Sequence, residues 1–325
     1  MDETPLVSIV IPHWNRAEYL PVCLGSLEGQ SYRRFEVILV DNGSTDDSLT
    51  ILRRDYPWVK VLALGSNLGF AKAVNMGLEV AQGEMVALFN NDVEAEERWL
   101  EELVKALARH PEAGMATPKL LLFDQREVIN AAGDFYRVDG VPGNRGVWER
   151  DQGQYDEEEW VFGPGGAAAL FRRSILEEIA LPKRGGGREV LDETLVSYCE
   201  DVDLAWRAQM AGYRCLYVPT ARAYHRLSAT GGGELASYYV GRNFFYLMAK
   251  DYPTSLLRRY WPHILEAQWR IAWEALRAWR GEAARARLRG QIAGLLTWPR
   301  MLKKRRYVQA IRKVSDEYLE ALMRS

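Results

Sequence analysis

The chain has 325 residues, 48% hydrophobic and 26% charged, with a formal net charge of −2 at pH 7. This composition is typical of a soluble globular protein and fits one large α/β domain with an appendage, or two modest domains. Three scattered cysteines, Cys23, Cys199 and Cys215, exclude a disulfide framework or a zinc site and favour a reducing compartment. No segment approaches the roughly 20 apolar residues of a membrane span, and the acidic N-terminus argues against a signal peptide, so we expect a cytoplasmic protein.

The small net charge hides an asymmetry along the chain. Residues 252–325 include 16 basic and 6 acidic residues, a balance of +10, whereas the preceding residues have a balance of −12. A basic segment that follows an acidic one indicates that the C-terminal part meets an anionic surface.

Short apolar, β-branched runs alternate with helical patterns in the first part of the chain. Strands are predicted at residues 7–12, 35–40, 59–64 and 85–89, and helices at 16–29, 47–56, 69–81 and 98–110. Alternation at this short spacing predicts βαβ units and a mainly parallel sheet flanked by helices, which is an α/β fold.

The second half of the chain is less regular. Residues 123–161 are rich in Gly, Asp and Arg and are predicted as a long loop region with short strands. An apolar segment at 167–171, a helix at 203–211 ended by Gly212, a strand at 214–218 and a helix at 237–250 follow. Beyond Pro253 the pattern is helical almost throughout.

Polar side chains directly follow two of the predicted strands. Asp41 comes after the strand at 35–40, and Asn90, Asn91 and Asp92 come after the strand at 85–89. Ligands of open parallel sheets bind beyond the carboxyl ends of the strands, so Asp41 and Asp92 are expected to converge on one site. The alternative is that each residue only caps the helix that follows it.

The sequence contains neither Gly-x-Gly-x-x-Gly nor Gly-x-x-x-x-Gly-Lys, which argues against a dinucleotide site and a P-loop. A bound phosphate would then need another neutralising group. Mg²⁺ or Mn²⁺ held by carboxylates such as Asp92 is the natural candidate, because these hard cations prefer oxygen ligands.

Six sequence blocks in a fixed order resemble one known family. They are VSIVIPHWNRAEYL, VILVDNGSTDDS, NLGFAKAVNMGL, VALFNNDVE, LDETLVSYCEDVDLAWRAQMAGY and AYHRLSAT. Together they are similar to family 2 of the inverting, GT-A-fold glycosyltransferases, and most similar to the rhamnosyltransferase-like branch that builds bacterial surface polysaccharides. The resemblance implies a Rossmann-like GT-A domain over residues 1–250, followed by a basic, Trp-rich helical tail over residues 251–325.

The resemblance also implies a nucleotide-sugar site. Asp41 would accept hydrogen bonds from the nucleotide base, and Asp92 matches the metal-binding carboxylate of the family's Asp-x-Asp motif. Asn90 replaces the first acid of that motif, which removes one negative charge near the metal. The residues implied to bind the nucleotide sugar are Pro12, Trp14, Asn15, Asp41, Asn67, Gly69, Asn75 and Asn91.

The adjacent acids Glu200 and Asp201 resemble the family's Glu-Asp pair, in which the Asp is the catalytic base. An inverting transfer needs one carboxylate to take the proton of the acceptor hydroxyl while a metal offsets charge on the departing diphosphate. The alternative is that Asp201 and Asp203 only begin a helix, because acidic residues stabilise helix N-termini.

His225 stands where relatives use a His to contact the metal or the diphosphate, although a lone His is more often structural. Arg226 and Ser228 are further candidates for contact with the same phosphates. The GPGG segment matches a region that faces the acceptor in the family, although an ordinary turn explains its glycines almost as well. The implied acceptor residues are Gly165, Gly166 and Asp192.

The tail contains an apolar stripe at helical spacing, formed by Trp261, Leu265, Trp269, Trp273 and Leu276. Trp and Arg on amphipathic helices are typical of interfacial membrane binding, which predicts a peripheral position on an anionic surface at the inner face of the membrane. The alternative is that these helices pack onto the rest of the chain or onto a second copy as a homodimer. Nucleic-acid binding explains the charge less well, because the rest of the chain is acidic.

The sequence therefore predicts a metal-dependent, inverting glycosyltransferase. It would move a sugar from a nucleoside diphosphate, dTDP-rhamnose or a UDP-sugar, to a hydroxyl of a glycan or lipid-linked acceptor. The first alternative is a catalytically silent GT-A domain that binds nucleotide sugars or glycans, and the intact Asp92, Glu200 and Asp201 argue against it. A nucleotidyltransferase would have a Gly-rich basic loop after the first strand, and an adaptor that acts through the tail would leave these acids unexplained.

Overall fold

A computed structural model describes residues 4–183, 185–226 and 233–324. The strands are β1 (Val7–His13), β2 (Phe35–Asp41), β3 (Lys60–Ala63), β4 (Met85–Phe89), β5 (Val93–Ala95), β6 (Ala113–Leu122), β7 (Ile129–Ala131), β8 (Asp134–Arg137), β9 (Pro142–Asn144), β10 (Glu159–Val161), β11 (Ala168–Arg172), β12 (Leu181–Pro182), β13 (Arg188–Glu189), β14 (Arg214–His225) and β15 (Met323–Arg324). The helices are α1 (Leu20–Glu28), α2 (Ser48–Asp55), α3 (Phe70–Val80), α4 (Trp99–Arg109), α5 (Arg173–Glu178), α6 (Glu200–Met210), α7 (Glu234–Lys250), α8 (Thr254–Arg277), α9 (Glu282–Thr297), α10 (Leu302–Ala310) and α11 (Asp316–Leu322), with 3₁₀ turns at Ala17–Tyr19 and Trp298–Met301.

The described residues pack into two compact units. The first is drawn from residues 1–134, 144–178 and 213–227, and the second from residues 135–143, 179–212 and 228–325. The second unit includes residues on both sides of position 250. The division into a domain 1–250 and a tail 251–325 stays a prediction.

The first unit is built on one mixed sheet, with strand order β10-β14-β6-β11-β4-β1-β2-β3, to which β5 is added beside β14 and β7 beside β6. The strands β3, β2, β1, β4, β6 and β14 run in one direction, and β5, β7, β10 and β11 run in the other. The α/β architecture with a mostly parallel sheet is therefore confirmed. Its core consists of apolar residues of the strands of this sheet together with the inner faces of α1 and α4.

The longest buried strand that sequence reasoning missed is β6, whose ten residues are all buried. Pro118 and Lys119 interrupt its apolar pattern, which is why no strand was predicted there. The Lys119 ammonium lies 3.0 Å from the Asp151 carboxylate and also contacts Asp156, so its charge is compensated inside the protein. The strand β14 was likewise predicted only to residue 218, and it continues to His225.

The second unit is mainly helical and is centred on α7. Helix α9 packs so closely on α7 that a Cβ at Gly290 would collide with the Tyr238 carbonyl oxygen, which explains the glycine. The rings of Tyr136, Trp206 and Tyr252 form a buried aromatic cluster in this unit. Within the described ranges, no helix is both long enough and apolar enough to span a membrane.

Candidate active site

The carboxylate of Asp41 lies at the carboxyl end of β2, opposite His13 of β1 in the parallel register. Its Oδ2 atom accepts a hydrogen bond from the Ser44 backbone N–H at 3.2 Å. Its Oδ1 atom is buried and has no hydrogen-bond partner among the described residues. Because buried acceptors are nearly always satisfied, this oxygen is suited to a donor group of a ligand.

The loop after β1 is fastened to the loop after β2. The Asn15 backbone N–H donates to Ser44 Oγ at 2.8 Å, and Asn15 Oδ1 accepts from the Thr45 backbone N–H at 2.9 Å. Asn15 has a left-handed backbone, with φ of 57°, which these bonds hold in place. Pro12 is half-buried and the Trp14 side chain is 46% exposed, so the fixed loop presents the indole ring to solvent.

A third loop is attached to the same edge of the sheet. The Asn67 side chain accepts hydrogen bonds from Asn42 Nδ2 at 3.1 Å and from the Gly69 backbone N–H at 2.9 Å. A Cβ at Gly43 would lie 2.5 Å from Ser66 Cα, so only glycine allows this close approach of the two loops. The predicted residue Asn75 is buried on α3, behind this loop. Asn42, which joins the loops, was not predicted.

His13 is a further residue that the sequence analysis did not select. Its Nδ1 atom lies 2.9 Å from Asn91 Nδ2, and its Nε2 atom lies 2.8 Å from Ser48 Oγ. Burial lowers the pKa of His13 against the opposing effect of Asp41, so the neutral ring is favoured. A neutral ring accepts from the Asn91 amide and donates to Ser48, which fixes Asn91 within the Asn-Asn-Asp turn.

The two predicted metal ligands lie next to each other. His225 Nε2 is 3.4 Å from Asp92 Oδ1, and that buried oxygen has no hydrogen-bond partner in the described ranges. The other ring nitrogen of His225, Nδ1, lies 2.9 Å from Asn130 Oδ1. If Nδ1 carries the proton, Nε2 presents its lone pair to the same space as Asp92 Oδ1, an arrangement common among metal-binding histidines. Asn130 was not predicted, because nothing in its local sequence points to this role.

The residues present fit a divalent cation that has few protein ligands. The described residues contain no group of three or more His, Cys, Asp or Glu side chains that converges on a metal position. Mg²⁺ is often bound by one or two carboxylates, with waters and substrate phosphates as its other ligands. Arg226 lies 3.4 Å from the centre of the Phe123 ring and is a predicted phosphate contact, whereas Ser228 lies outside the described residues.

The predicted catalytic pair begins α6 in the second unit. The three residues Val196, Tyr198 and Cys199 before it have left-handed backbones, with φ between 67° and 68°, which is costly for non-glycine residues. Asp201 Oδ1 accepts from the Val202 backbone N–H at 2.8 Å, and Glu200 Oε2 is buried without a partner in the described chain. Strain of this kind is often retained where it positions functional groups.

Both carboxyl groups of the pair have raised pKa values. Burial, together with the charge of Asp201, raises the pKa of Glu200 to about 8. Burial also raises the pKa of Asp201, although the Val202 backbone N–H opposes the shift. The pair therefore holds protons at a higher pH than ordinary carboxylic acids do, which suits a general base near neutral pH.

The strained segment is held by Asn243 of α7, which sequence reasoning also missed. The buried Asn243 Nδ2 atom lies 3.1 Å from the carbonyl oxygens of Leu195 and Ser197 and 2.8 Å from that of Tyr198. Arg242 adds a hydrogen bond of 2.8 Å to the Leu195 carbonyl. One side-chain amide thus holds the backbone that leads into Glu200 and Asp201.

The three implied acceptor residues have different surroundings. Gly165 is buried, and its N–H donates to Thr117 Oγ1 at 3.2 Å, whereas Gly166 is exposed. Asp192 is fully buried, and its two carboxylate oxygens lie 2.5 Å from the Lys250 and Lys304 ammonium groups. Acceptor contact by Asp192 stays a prediction, and this burial disfavours it.

The apolar stripe of the tail lies on α8 and faces solvent. All five of its side chains are exposed, from 45% for Leu276 to 68% for Trp269. The buried face of α8 consists instead of Leu256, Ile264, Ala267, Gln268 and Ala275. The alternative in which the tail helices pack onto their own chain therefore holds for the buried face of α8 and for α9, which packs on α7, but the stripe takes no part in this packing. Contact with a membrane or a second copy remains a prediction.

Residues 8–180 match the family model described as Glycosyl transferase family 2. An N-acetylglucosaminyl-diphospho-decaprenol L-rhamnosyltransferase of Mycobacterium tuberculosis is 30% identical over 258 residues, which cover 72% of this chain and 80% of that protein. An uncharacterized protein of Sinorhizobium fredii, y4gI, is 32% identical over 245 residues, which cover 72% of this chain. The match spans only 26% of the length of that second relative.

A solved structure shares the fold. The mannosyltransferase PcManGT from Pyrobaculum calidifontis, in complex with GDP-Man and Mn²⁺, is similar with a TM-score of 0.56 and 20% sequence identity. The similarity covers 95% of this chain and 86% of that chain. The GT-A fold with a helical C-terminal region, as predicted from the sequence, is thereby confirmed.

Proposed function

The chain belongs to glycosyl transferase family 2, and on that premise we propose that it is a metal-dependent, inverting glycosyltransferase. It takes a sugar from a nucleoside diphosphate and transfers it to a hydroxyl of a lipid-linked or glycan acceptor in surface polysaccharide synthesis. The donor is dTDP-rhamnose or a UDP-sugar. The rhamnosyltransferase activity and the diphospho-lipid in the name of the mycobacterial relative support this choice of donor and acceptor.

One observation carries the proposal: Asp41 and Asp92 each keep a buried oxygen without a hydrogen-bond partner in the described chain. Asp41 ends β2 and Asp92 follows β4, the two parallel strands on either side of β1, at the edge where such folds bind ligands. The Asp41 oxygen suits an N–H group of the nucleotide base. The Asp92 oxygen, with His225 beside it, suits a divalent cation. The retained acids Glu200 and Asp201, which binding alone does not require, argue against a silent scaffold.

The metal site is proposed for Mg²⁺ or Mn²⁺. Asp92 and His225 would hold the cation, and the Mn²⁺ present with GDP-Man in the structural neighbour supports this proposal. When bound, the cation offsets negative charge on the diphosphate leaving group. The chain's own contribution is the placement of its ligands: Asn130 orients His225, and His13 fixes Asn91 next to Asp92.

The chemical step needs one base. Asp201 takes the proton of the acceptor hydroxyl, and the acceptor oxygen attacks the anomeric carbon of the donor sugar. The bond from that carbon to the diphosphate oxygen breaks on the opposite face, so the anomeric configuration inverts and the nucleoside diphosphate leaves. No covalent intermediate with the enzyme forms, so no side chain has to act as the nucleophile.

The proposal is tested by a transfer assay with purified chain, dTDP-rhamnose or UDP-N-acetylglucosamine, Mn²⁺ and a polyprenyl-diphosphate-linked N-acetylglucosamine acceptor. We expect a glycosylated product whose new linkage, determined by NMR, has the anomeric configuration opposite to that of the donor. Tight nucleotide binding without product from any donor and acceptor pair would favour the silent GT-A scaffold.

The raised pKa values predict the pH dependence of turnover. Asp201 acts in its deprotonated form, so kcat/KM should fall as the pH drops through its raised pKa, above the ordinary value of about 3.9. A second change in slope should appear near pH 8, where Glu200 ionises. Glu200→Gln should keep the acid limb and lose the change near pH 8. A wild-type acid limb at the ordinary carboxyl value, measured from initial rates between pH 4 and 9, would contradict this assignment.

Asn243 should matter for turnover more than its contribution to stability suggests. Asn243→Ala leaves buried carbonyl oxygens without a donor, so we expect the free energy of unfolding to fall by about 1–3 kcal/mol. Because the segment before Asp201 is then free to shift, kcat should also fall by about 10- to 100-fold, with nucleotide affinity unchanged.

Gln291 provides the matched control for Asn243. It is a buried amide of the same unit, and its Nε2 atom donates to the Gln268 carbonyl at 3.1 Å. Gln291→Ala should cost similar stability in urea denaturation and leave kcat within about threefold. An equal loss of kcat in both variants would reduce Asn243 to a purely structural residue.

A further inference from the structure

The second unit contains a basic cavity of about 1180 Å³ that no step of the proposed reaction uses. One part of its lining comes from residues 182, 183, 189, 193 and 194, and the other from the helical segment 300–307. Five lining side chains are cationic, and two, Glu189 and Glu193, are anionic. The cavity therefore has a net positive charge.

The two carboxylates of the cavity are already paired. Lys183 lies 2.8 Å from Glu193, and Lys304 lies 2.6 Å from Glu189 and 2.5 Å from the buried Asp192. These two lysines are therefore bound to the protein's own acids and help to fix the cavity wall. They do not supply the surplus charge.

The surplus charge comes from Arg300, Lys303 and Arg306. All three are exposed, and none has a hydrogen-bond or ion-pair partner among the described residues. Three cations on one short segment that faces a cavity repel each other unless an anion binds between them. Guanidinium and ammonium groups together are typical of sites for phosphate groups.

The helices next to these cations also expose apolar side chains. The exposed apolar residues of α9, α10 and the turn between them are Ile292, Leu295, Leu296, Trp298, Leu302 and Tyr307, and Tyr307 lines the cavity itself. The apolar stripe of α8 belongs to the same unit and is exposed as well. A cluster of cations beside exposed Trp and Leu matches the layer of a bilayer in which phosphates meet acyl chains.

We infer that this cavity binds the diphosphate group of a lipid-linked acceptor, with the exposed apolar residues of α8, α9 and α10 inserted into the bilayer around it. The inference rests on the proposed transfer to such an acceptor and assigns the part of the chain that holds its anionic group. A neutral glycan offers no negative charge to the three cations, whereas a diphosphate offsets most of their positive charge.

The test uses binding alone, with the full chain and no sugar donor. Three sets of phosphatidylcholine vesicles are compared by co-sedimentation: plain vesicles, vesicles with geranylgeranyl diphosphate, and vesicles with phosphatidylglycerol at the same total negative charge. The wild-type chain should bind the diphosphate vesicles most tightly, and inorganic diphosphate should compete. Equal binding to both kinds of anionic vesicle would mean that the chain responds to negative charge in general and not to the diphosphate group, which would overturn the inference.

Two triple variants separate the cavity from the net charge of the tail. Arg300→Gln, Lys303→Gln and Arg306→Gln together should weaken binding to diphosphate vesicles by at least about tenfold. Arg258→Gln, Arg277→Gln and Arg280→Gln remove the same charge from exposed positions on or just after α8 and should weaken binding to both kinds of anionic vesicle alike, so that the preference for diphosphate vesicles is kept. An equal loss of that preference in both triple variants would contradict the assignment.

A charge-conserving variant controls for the possibility that the triple Gln variant of the cavity is misfolded. Arg300→Lys with Arg306→Lys should keep most of the preference for diphosphate vesicles, and its failure to do so in a folded protein would count against a phosphate site. The outcome is also separable from the proposed function. Transfer to a soluble glycan without diphosphate binding would contradict the diphosphate site and leave the proposed transferase activity intact. Diphosphate binding without transfer would contradict the transferase activity and leave the diphosphate site intact.

Discussion

Asp201→Asn should abolish sugar transfer while leaving nucleotide binding nearly intact. The amide cannot accept the proton of the acceptor hydroxyl, and loss of a general base lowers rates by about 10²–10⁴. We expect kcat/KM to fall by about a thousandfold in the transfer assay. The raised pKa of Asp201 supports this role, because a stronger base accepts the proton more readily.

The control for Asp201→Asn is Glu266→Gln, which removes one negative charge from an exposed position on α8 of the same unit. It should transfer sugar at the wild-type rate. The dissociation constant of the nucleoside diphosphate, measured by calorimetry, should change by less than about twofold for either variant. Substantial turnover by Asp201→Asn would remove Asp201 as the base.

Asp92→Asn should remove the metal dependence of the enzyme. The neutral amide is a weaker ligand for a hard cation than a carboxylate is, and only His225 among the proposed ligands would then remain. A loss of about 3 kcal/mol of charge stabilisation on the leaving diphosphate lowers kcat/KM by about a hundredfold. A titration of the transfer rate with Mn²⁺ should show a weak dependence or none.

Asp55→Asn is the matched control for Asp92→Asn. Asp55 lies on the surface of the same unit, with Oδ1 2.7 Å from Arg54 Nε, so the substitution removes the same charge without touching the site. Its Mn²⁺ titration should match that of the wild type. If Asp92→Asn kept the wild-type dependence on Mn²⁺, the metal would have to be held elsewhere.

The regular part of the fold could be predicted because its apolar runs are local signals. β4 has its predicted bounds, and β1 and β2 differ by one residue at their ends. β6 could not be predicted, because its buried Lys119 looks like a surface residue until Asp151 and Asp156 are placed beside it. Pairing over more than thirty positions is not encoded in any short pattern.

The candidate site likewise contains residues that could be predicted from the sequence and residues that could not. Asp41 and Asp92 could be selected because both stand directly after apolar strands. His13, Asn130 and Asn243 could not, because each acts through another residue: Asn91, His225 and the strained segment before Asp201. Buried amides and imidazoles of this kind have no signature in sequence, and their partners become visible only in the folded chain.

The tail shows what a helical pattern leaves open. The spacing of the Trp and Leu residues on α8 predicted one apolar stripe, but an apolar stripe is equally expected to face a core. In the structure the stripe is exposed, and smaller residues such as Ala267 and Ala275 form the buried face. Periodicity locates an apolar face, whereas the packing of the other elements determines whether that face is free.

The central claim is that the edge of the sheet around Asp41 and Asp92 binds a nucleoside diphosphate together with a divalent cation. The most direct test is a calorimetric titration of the wild-type chain with UDP, dTDP and GDP, each with Mn²⁺, with Mg²⁺ and after chelation. We expect one of these diphosphates to bind in the presence of a metal and to lose most of its affinity without one. The absence of binding by all three, with either metal, would contradict the claim.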